Sequence, residues 1–135
     1  MGLTYFPNGV AADLQGDVIG DVTGNLVGQH RHEVAPLTAS GAIAIDSGVV
    51  TLSHATVAIA ATLDAPTPGD ELYIINMSAS GTAAHTVKTP SGVTWNGTNN
   101  TATLDAPGEA LHVIAVSATR WFILENIGSV GLSTT

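Results

Sequence analysis

Short apolar segments separated by turn residues make up the sequence from about residue 35 onward. About nine such segments follow one another at a spacing of roughly ten residues, with Gly, Pro or Asn between them. Lys, Glu and Gln together number only seven of 135 residues, so the chain lacks the side chains that usually cover solvated helices. The pattern predicts an all-β fold, namely an antiparallel β-sandwich or jelly roll of about eight to nine strands.

Two of the predicted strands are apolar on both faces. Residues 71–78 and 110–117 carry apolar side chains at both odd and even positions, which is typical of central strands with both faces covered. Residues 56–63 alternate instead, and one face of that segment carries Val57, Ile59, Ala61 and Leu63. This alternation predicts a strand with one buried face.

A short internal repeat links two of these segments. Residues 62–66 read TLDAP and recur as TLDAP at 103–107, and residues 68–75 read PGDELYII against PGEALHVI at 107–114. Each copy is a Pro-Gly-acidic turn followed by an apolar strand. We interpret the copies as one corner used twice in the fold; the alternative is that two turns merely use similar residues.

Residues 1–33 differ from the rest because Gly recurs at every fourth position from Gly16 to Gly28. A helix would carry one Gly per turn, each costing about 1 kcal/mol relative to Ala, so an extended arm is the better interpretation. A flexible Gly-rich leader is the alternative. We therefore expect an extended N-terminal arm of residues 1–33, which anchors the chain or intertwines copies, and a jelly-roll β-sandwich domain of residues 34–135. The arm residues expected to make contacts are Asp17, Val18, Ile19, Asp21, Val22, Leu26 and Val27.

The charge balance argues against two classes of partner. The formal net charge is −8, and only Arg31, Lys88 and Arg120 are basic. Nucleic-acid binding requires a basic surface that displaces counterions from phosphates, and docking on an anionic membrane also requires basic residues. We therefore expect neither nucleic acid nor a membrane as partner.

No pattern in the sequence indicates catalysis. The Gly-x-Ser-x-Gly motif and the Gly-rich phosphate-binding motifs are absent, and no spacing relates one His to one Ser. Acidic residues at 64, 70, 105 and 109 lie in Pro/Gly turns, where such side chains usually cap the backbone or face water. We expect a protein that is not an enzyme.

One pair of histidines has the spacing of metal ligands. His30 and His32 form a His-x-His pattern, which places two imidazoles on one face of a strand. Around the threefold axis of a parallel trimer, three such pairs would supply six imidazoles, enough for an octahedral transition-metal ion. The alternative is that both histidines are solvated where the arm joins the domain. No other cofactor is expected.

Trp95 and three asparagines define a candidate surface for a receptor or another partner. Trp95 precedes an Asn-Gly turn at Asn96, and Asn99 and Asn100 follow that turn. An exposed aromatic ring beside amide groups is typical of a binding surface, whereas a Trp in a strand is also typical of a core. Trp121 opens the last predicted strand and is expected in the core.

Two parts of the chain resemble proteins of tailed bacteriophages. The repeat from Gly16 to Gly28, GDVIGDVTGNLVG, resembles Gly-Asp-Val-x repeats near the start of virion proteins. Small β-sandwich modules of phage head-decoration, head-fibre and tail-fibre proteins are similar to PSGVTWNGT at 90–98, PGE at 107–109 and TRWFIL at 119–124. The resemblance implies a homotrimeric, non-enzymatic virion protein. His-x-His sites on the trimer axes of such proteins often hold iron, and His30 and His32 match that pattern.

A short arm and one small domain suit a capsid decoration or cement protein, or a head fibre. The expected function is to bind and stabilise the head shell as a homotrimer on the outer surface of the phage head, with the major capsid protein as partner. The alternative is a tail-fibre or spike module that binds a host receptor or a carbohydrate through the surface around Trp95.

Overall fold

The computed structural model describes residues 31–79 and 83–135, which form two packed β-sheets and no α-helix. Eleven short strands and one turn of 3-10 helix, Ile45–Ser47, lie in these residues. The strands are β1 Glu33–Leu37, β2 Gly41–Ala42, β3 Gly48–Leu52, β4 Ala60–Thr62, β5 Glu71–Asn76, β6 His85–Lys88, β7 Thr94–Trp95, β8 Thr101–Leu104, β9 Ala110–Ser117, β10 Arg120–Ile127 and β11 Gly131–Ser133. The prediction of an all-β fold is confirmed.

The first six strands alternate between the two sheets. Sheet A has the order β1-β3-β5-β9-β10-β7, and sheet B has the order β11-β8-β6-β4-β2. Because each crossover runs through the opposite sheet, β1, β3 and β5 lie parallel in sheet A, and β2, β4 and β6 lie parallel in sheet B. Parallel neighbours require long crossovers, and here a strand of the opposite sheet takes the place of the usual helix.

The later strands add antiparallel pairs to this parallel half. Strand β9 pairs antiparallel with β5 and β10, and β8 pairs antiparallel with β6 and β11, while β7 lies parallel to β10. The pairing is therefore mixed, and the prediction of a purely antiparallel sandwich is wrong. Alternation and turn residues indicate that a strand is present, but they do not encode which neighbour it pairs with or in which direction.

The finer fold predictions are not confirmed. Strands β1 and β11 lie outside the nine predicted segments, so the count of eight or nine falls short of the eleven strands described. Pro36 interrupts the apolar pattern of β1, and β11 is a three-residue strand that begins at Gly131. The strand order of the two sheets does not establish a jelly roll.

The core lies between the two sheets and receives alternate side chains from both. Its largest fully buried members are Trp95, Trp121, Leu52, Ile59, Leu63, Leu72, Ile74, Leu104, Leu111, His85, Val50 and Val87. The rings of Trp95 and Trp121 lie side by side, with centroids 6.5 Å apart and planes tilted by 38°. Parallel pairing of β7 with β10 makes these two residues register partners. The prediction that Trp121 lies in the core is confirmed.

The first copy of the sequence repeat is a tight corner that leads into β5. Gly69 has a φ of +99°, a conformation that favours Gly, and the Asp70 carboxylate accepts a hydrogen bond from the Thr67 N–H at 2.8 Å. Two backbone hydrogen bonds join this corner to the end of β9. Gly69 N–H donates to the Ala115 carbonyl, and Ala115 N–H donates to the Asp70 carbonyl.

The second copy makes the same contacts 39 residues further along the chain. Gly108 has a φ of +85°, and the Glu109 carboxylate accepts a hydrogen bond from the Ala106 N–H at 3.0 Å. Gly108 N–H donates to the Asn76 carbonyl, and Asn76 N–H donates to the Glu109 carbonyl. Because β5 and β9 are antiparallel neighbours, a local pseudo-twofold axis between them relates the two corners. The interpretation of the repeat as one corner used twice is confirmed.

Candidate functional site

The predicted arm contacts, from Asp17 to Val27, lie outside the residues that the structure describes, and so does His30. His32 is described: it lies exposed immediately before β1, with its ring centroid 6.0 Å from that of Tyr73. Within residues 31–79 and 83–135, no three His, Cys, Asp or Glu side chains are grouped to hold a metal ion. The anchoring role and the metal site across a threefold axis stay predictions.

Trp95 is not on the surface. Its side chain is fully buried against Trp121, because the pairing of β7 with β10 turns both rings into the core. The interpretation of Trp95 as an exposed binding residue is therefore wrong, and the core interpretation is confirmed. Neighbouring Asn96 is exposed, and its Oδ1 accepts a hydrogen bond from the Ile123 N–H at 2.9 Å, which fastens the turn to β10.

The other two predicted asparagines are half-buried and bind the C-terminus of the chain. The Asn100 side chain donates to the Thr135 carbonyl and accepts from the Thr135 N–H, both at 2.9 Å. The Asn99 Oδ1 accepts from the Thr134 hydroxyl at 3.4 Å. The structure therefore gives these amides a role in closing the end of the sandwich rather than a free polar surface.

A network of buried polar side chains lies between β6 and the loops beside it. His85 is fully buried, and its Nδ1 accepts a hydrogen bond from the Ile59 N–H at 3.0 Å. Its Nε2 lies 2.9 Å from the Ser78 Oγ, which donates to the His54 carbonyl at 3.1 Å. Because Nδ1 acts as an acceptor, the proton of the neutral ring lies on Nε2 and is donated to Ser78.

This direction of hydrogen bonding is opposite to that of a nucleophilic serine. An activating His accepts the hydroxyl proton, whereas His85 donates to Ser78 and the carbonyl of His54 holds the serine proton. Burial, and to a smaller extent the nearby His54, lowers the pKa of His85 below its ordinary value. The network therefore joins β6 to the loop at residues 54–59 and has a structural role.

The outer face of sheet A is a broad apolar surface. Seven large hydrophobic side chains are exposed in the described part of the chain, and five of them belong to strands of sheet A: Val34, Val116, Phe122, Leu124 and Ile127. Their exposed fractions range from 46% for Phe122 to 57% for Val34. Exposed apolar side chains that are grouped on one face commonly mark a protein interface.

Strand register places three of these side chains, Val34, Phe122 and Ile127, in rows across sheet A. One row runs from β1 to β10 through successive register partners, and it contains Val34, Val49, Tyr73, His112 and Glu125. A second row contains Pro36, Thr51, Ile75, Ala110 and Ile127. A third contains Glu71, Ile114 and Phe122. The outer face is therefore continuous over five strands.

Three side chains near the centre of this face form a polar cluster. Tyr73 stacks on His112, with ring centroids 4.0 Å apart and planes 9° apart. The His112 Nε2 lies 2.6 Å from the Glu71 Oε1. The stack and the hydrogen bond together hold the imidazole in one orientation, so an ordered polar group lies within an apolar surface.

The outer face of sheet B has the opposite character. Small and hydroxylated residues occupy its positions, together with one lysine: Ala60, Thr62, Thr86, Lys88, Thr103, Gly131 and Ser133. Thr86 and Thr103 are direct register partners at its centre. Such a surface is well solvated and is typical of a sheet with one face in water.

The sequence pattern indicated strands that are apolar on both faces, but it did not identify the outer face of sheet A as a functional site. Strands β5 and β9, at the centre of sheet A, correspond to residues 71–78 and 110–117, which are apolar on both faces. In the described chain, one face of these strands meets the core and the other stays outward. The pattern thus predicts that sheet A is covered on both faces, and the described residues cover its inner face.

Comparison with known proteins identifies no relative from which a function could be inferred. A scan against protein-family models and a search of the curated proteins found no match to this chain. In residues 31–79 and 83–135, no helix is long and apolar enough to cross a membrane. The exposed apolar side chains make the outer face of sheet A the candidate functional site.

Proposed function

We propose that this protein is a non-enzymatic virion protein of a tailed bacteriophage: a capsid decoration or cement protein, or a head fibre, that binds the major capsid protein on the outside of the head as a homotrimer. The phage-like patterns of the sequence support the proposal. The structural observation that carries it is the apolar outer face of sheet A, because a surface of this kind is typical of proteins that act through contacts with other proteins.

The sparse charge of the chain suits multivalent binding to a protein shell. A net charge of −8 with three basic residues does not favour binding to phosphates. In a trimer, three arms bind the shell together, so each arm needs only a modest affinity. The proposal assigns shell binding to residues 1–33 and subunit contacts to residues 34–135.

The receptor-binding or carbohydrate-binding alternative loses its main support. It depended on the Trp95 ring as a stacking surface, and that ring is fully buried. The amide groups of Asn96 and Asn100 are used in hydrogen bonds within the chain. No observation in the described residues favours this alternative over assembly on a shell.

The test is co-sedimentation of the purified chain with heads of the parent phage, after the chain's own copies have been removed from those heads. Deletion of residues 2–28 removes the Gly repeat and is expected to abolish head binding while a folded trimer remains. Deletion of residues 2–8 keeps the repeat and is the matched control, which we expect to bind as the full-length chain does. Failure of the full-length chain to bind heads would contradict the proposed function, and undiminished binding by the longer deletion would contradict the anchoring role of the arm.

A further inference from the structure

We propose that a second copy of this chain packs, sheet against sheet, on the outer face of sheet A. This inference rests on the proposed assembly function and names the surface that makes the subunit contact. The occupant is inferred from four properties of the face: its strands, its area, its charge and its shape.

The central strands of sheet A have the pattern of strands buried on both sides. In β5 the inward residues Leu72 and Ile74 are fully buried, and the outward residues Tyr73 and Ile75 are also half-buried and large. Strand β9 repeats this arrangement, with Val113 inward and the apolar residues Ile114 and Val116 outward. Apolar residues on both sides are typical of sheets covered on both faces.

The outer face of sheet A is large enough for a stable contact. Its five strands β1, β3, β5, β9 and β10 contain between 5 and 8 residues each. With strands about 4.8 Å apart and about 3.3 Å per residue, the face spans roughly 24 Å by 20 Å. Two such faces of about 500 Å² each bury roughly 1,000 Å² in total when they meet, which is about the minimum for a specific protein interface.

Two copies of an acidic chain can meet on this face because it carries few charges. Its carboxylates are Glu71, which contacts His112, and Glu125, which is the register partner of His112. The acidic residues Asp64, Asp70, Asp105 and Glu109 lie instead in the turns between strands. Like-charge repulsion is therefore small at this face, and the scarcity of carboxylates does not favour a basic partner protein.

The shape of the face fits another β-sheet. Sheet faces pack about 10 Å apart with interdigitated side chains, as the inner faces of sheets A and B already do in each chain. Ile114, Val116 and Phe122 provide an apolar region for that contact, and the cluster of Glu71, Tyr73 and His112 provides an ordered polar point that restricts its orientation.

The test is self-association of the full-length chain, measured by analytical ultracentrifugation from nanomolar to micromolar concentration. The wild-type chain is expected at a multiple of 13.6 kDa. Val116→Lys and Phe122→Lys each place an ammonium group in the contact and are expected to weaken association by about 100-fold or more. Thr86→Lys and Thr103→Lys place the same group on the outer face of sheet B and are expected to leave association unchanged.

Tryptophan fluorescence shows whether each variant is folded, because the rings of Trp95 and Trp121 are fully buried. Ile127→Lys, at the end of β10, replaces either variant that fails to fold. Folded lysine variants of sheet A that dissociate, beside sheet B controls that do not, support the interface. A wild-type chain that is monomeric at micromolar concentration overturns it, and so do folded lysine variants that associate like the wild type.

The interface and the head-decoration function can fail separately. A chain that associates through sheet A but does not bind phage heads keeps the interface and overturns the function. A chain that binds heads while its Val116→Lys and Phe122→Lys variants stay fully associated keeps the function and overturns the interface.

Discussion

Sheets A and B share one core but differ on their outer faces. Sheet A exposes Val116, Phe122 and Ile127, whereas sheet B presents mainly Thr, Ser and Gly, with Thr86 beside Thr103 at its centre. Sheet B follows the rule of a sheet with one face in water, and sheet A has the composition of a sheet with two covered faces. Under the proposed assembly, sheet A is the side that meets another copy and sheet B is the side in water.

The two sheets also make different contributions to the core. Sheet A supplies the adjacent pair Trp95 and Trp121, whose indole N–H groups have no acceptor among the described residues. Sheet B supplies His85, whose two ring nitrogens are both hydrogen-bonded. One side of the core is therefore stabilised by packing alone, and the other by packing together with a satisfied polar network. Three predictions test these differences between the two sheets, in the core and on the outer faces.

The largest expected effect comes from the packed side. Trp95→Ala removes a fully buried ring and leaves a cavity beside Trp121, so the free energy of unfolding is expected to fall by about 3–5 kcal/mol. Chemical denaturation followed by circular dichroism measures the loss. Trp95→Phe is the matched control and should lose less, because the ring is largely kept and the lost N–H makes no hydrogen bond in the described structure. A loss below about 1 kcal/mol for Trp95→Ala would contradict the packing role.

The polar side of the core is expected to be sensitive to acid. Because the pKa of His85 is lowered below 6.5 in the folded chain, the unfolded chain takes up the proton first as the pH falls. The contribution of neutral His85 to the free energy of unfolding is therefore fully present above pH 6.5. Below that pH the contribution is lost progressively, until the lowered pKa of the folded state is reached. Denaturation midpoints measured from neutral to acidic pH check this decline.

His85→Asn separates the titration from the packing. The Asn side chain keeps an acceptor for Ile59 but loses the contact with Ser78, so we expect a loss of about 1–3 kcal/mol at neutral pH and a flatter pH dependence. His54→Asn removes the smaller cause of the pKa shift, so acid sensitivity should be reduced but not abolished. An equally steep acid response in His85→Asn would show that another group titrates.

The smallest expected effects distinguish the two outer faces. Thr103→Val on sheet B keeps the shape of an outward side chain, and we expect the free energy of unfolding to change by no more than about 0.5 kcal/mol, with no change in association. Ile114→Thr makes the reverse exchange on sheet A and is expected to weaken association measurably. If Thr103→Val and Ile114→Thr change the sedimentation coefficient equally, the proposed role of sheet A in association is contradicted.

The local elements were predictable because their signals are local. The apolar pattern of residues 71–78 and 110–117 identified β5 and β9, and the Pro-Gly-acidic motif identified the two corners at Gly69 and Gly108. Turn preferences and side-chain alternation depend on a few neighbouring residues, so they can be recognised in the amino-acid sequence. The short β1 and β11 were missed because Pro36 and Gly131 weaken that pattern.

The candidate site was predictable only in part. The two-sided apolar strands indicated that sheet A needs a second cover, but Glu71, Tyr73 and His112 come together only because β5 pairs with β9. The sequence favoured the core for Trp95 but left the surface open, since the turn after it does not encode which side of β7 faces the other sheet. Pairing with β10 decided the matter by placing it beside Trp121.

By itself, the sequence determined that this chain is all-β, where its central strands lie and which corner it uses twice. Only the tertiary structure decided that the first six strands wind between two sheets, that their neighbours are parallel, and that one outer face is apolar. The physical reason is the range of the interactions. Propensity and turn geometry act between near neighbours in the chain, whereas the direction of pairing and the exposure of a face depend on contacts between residues far apart in it.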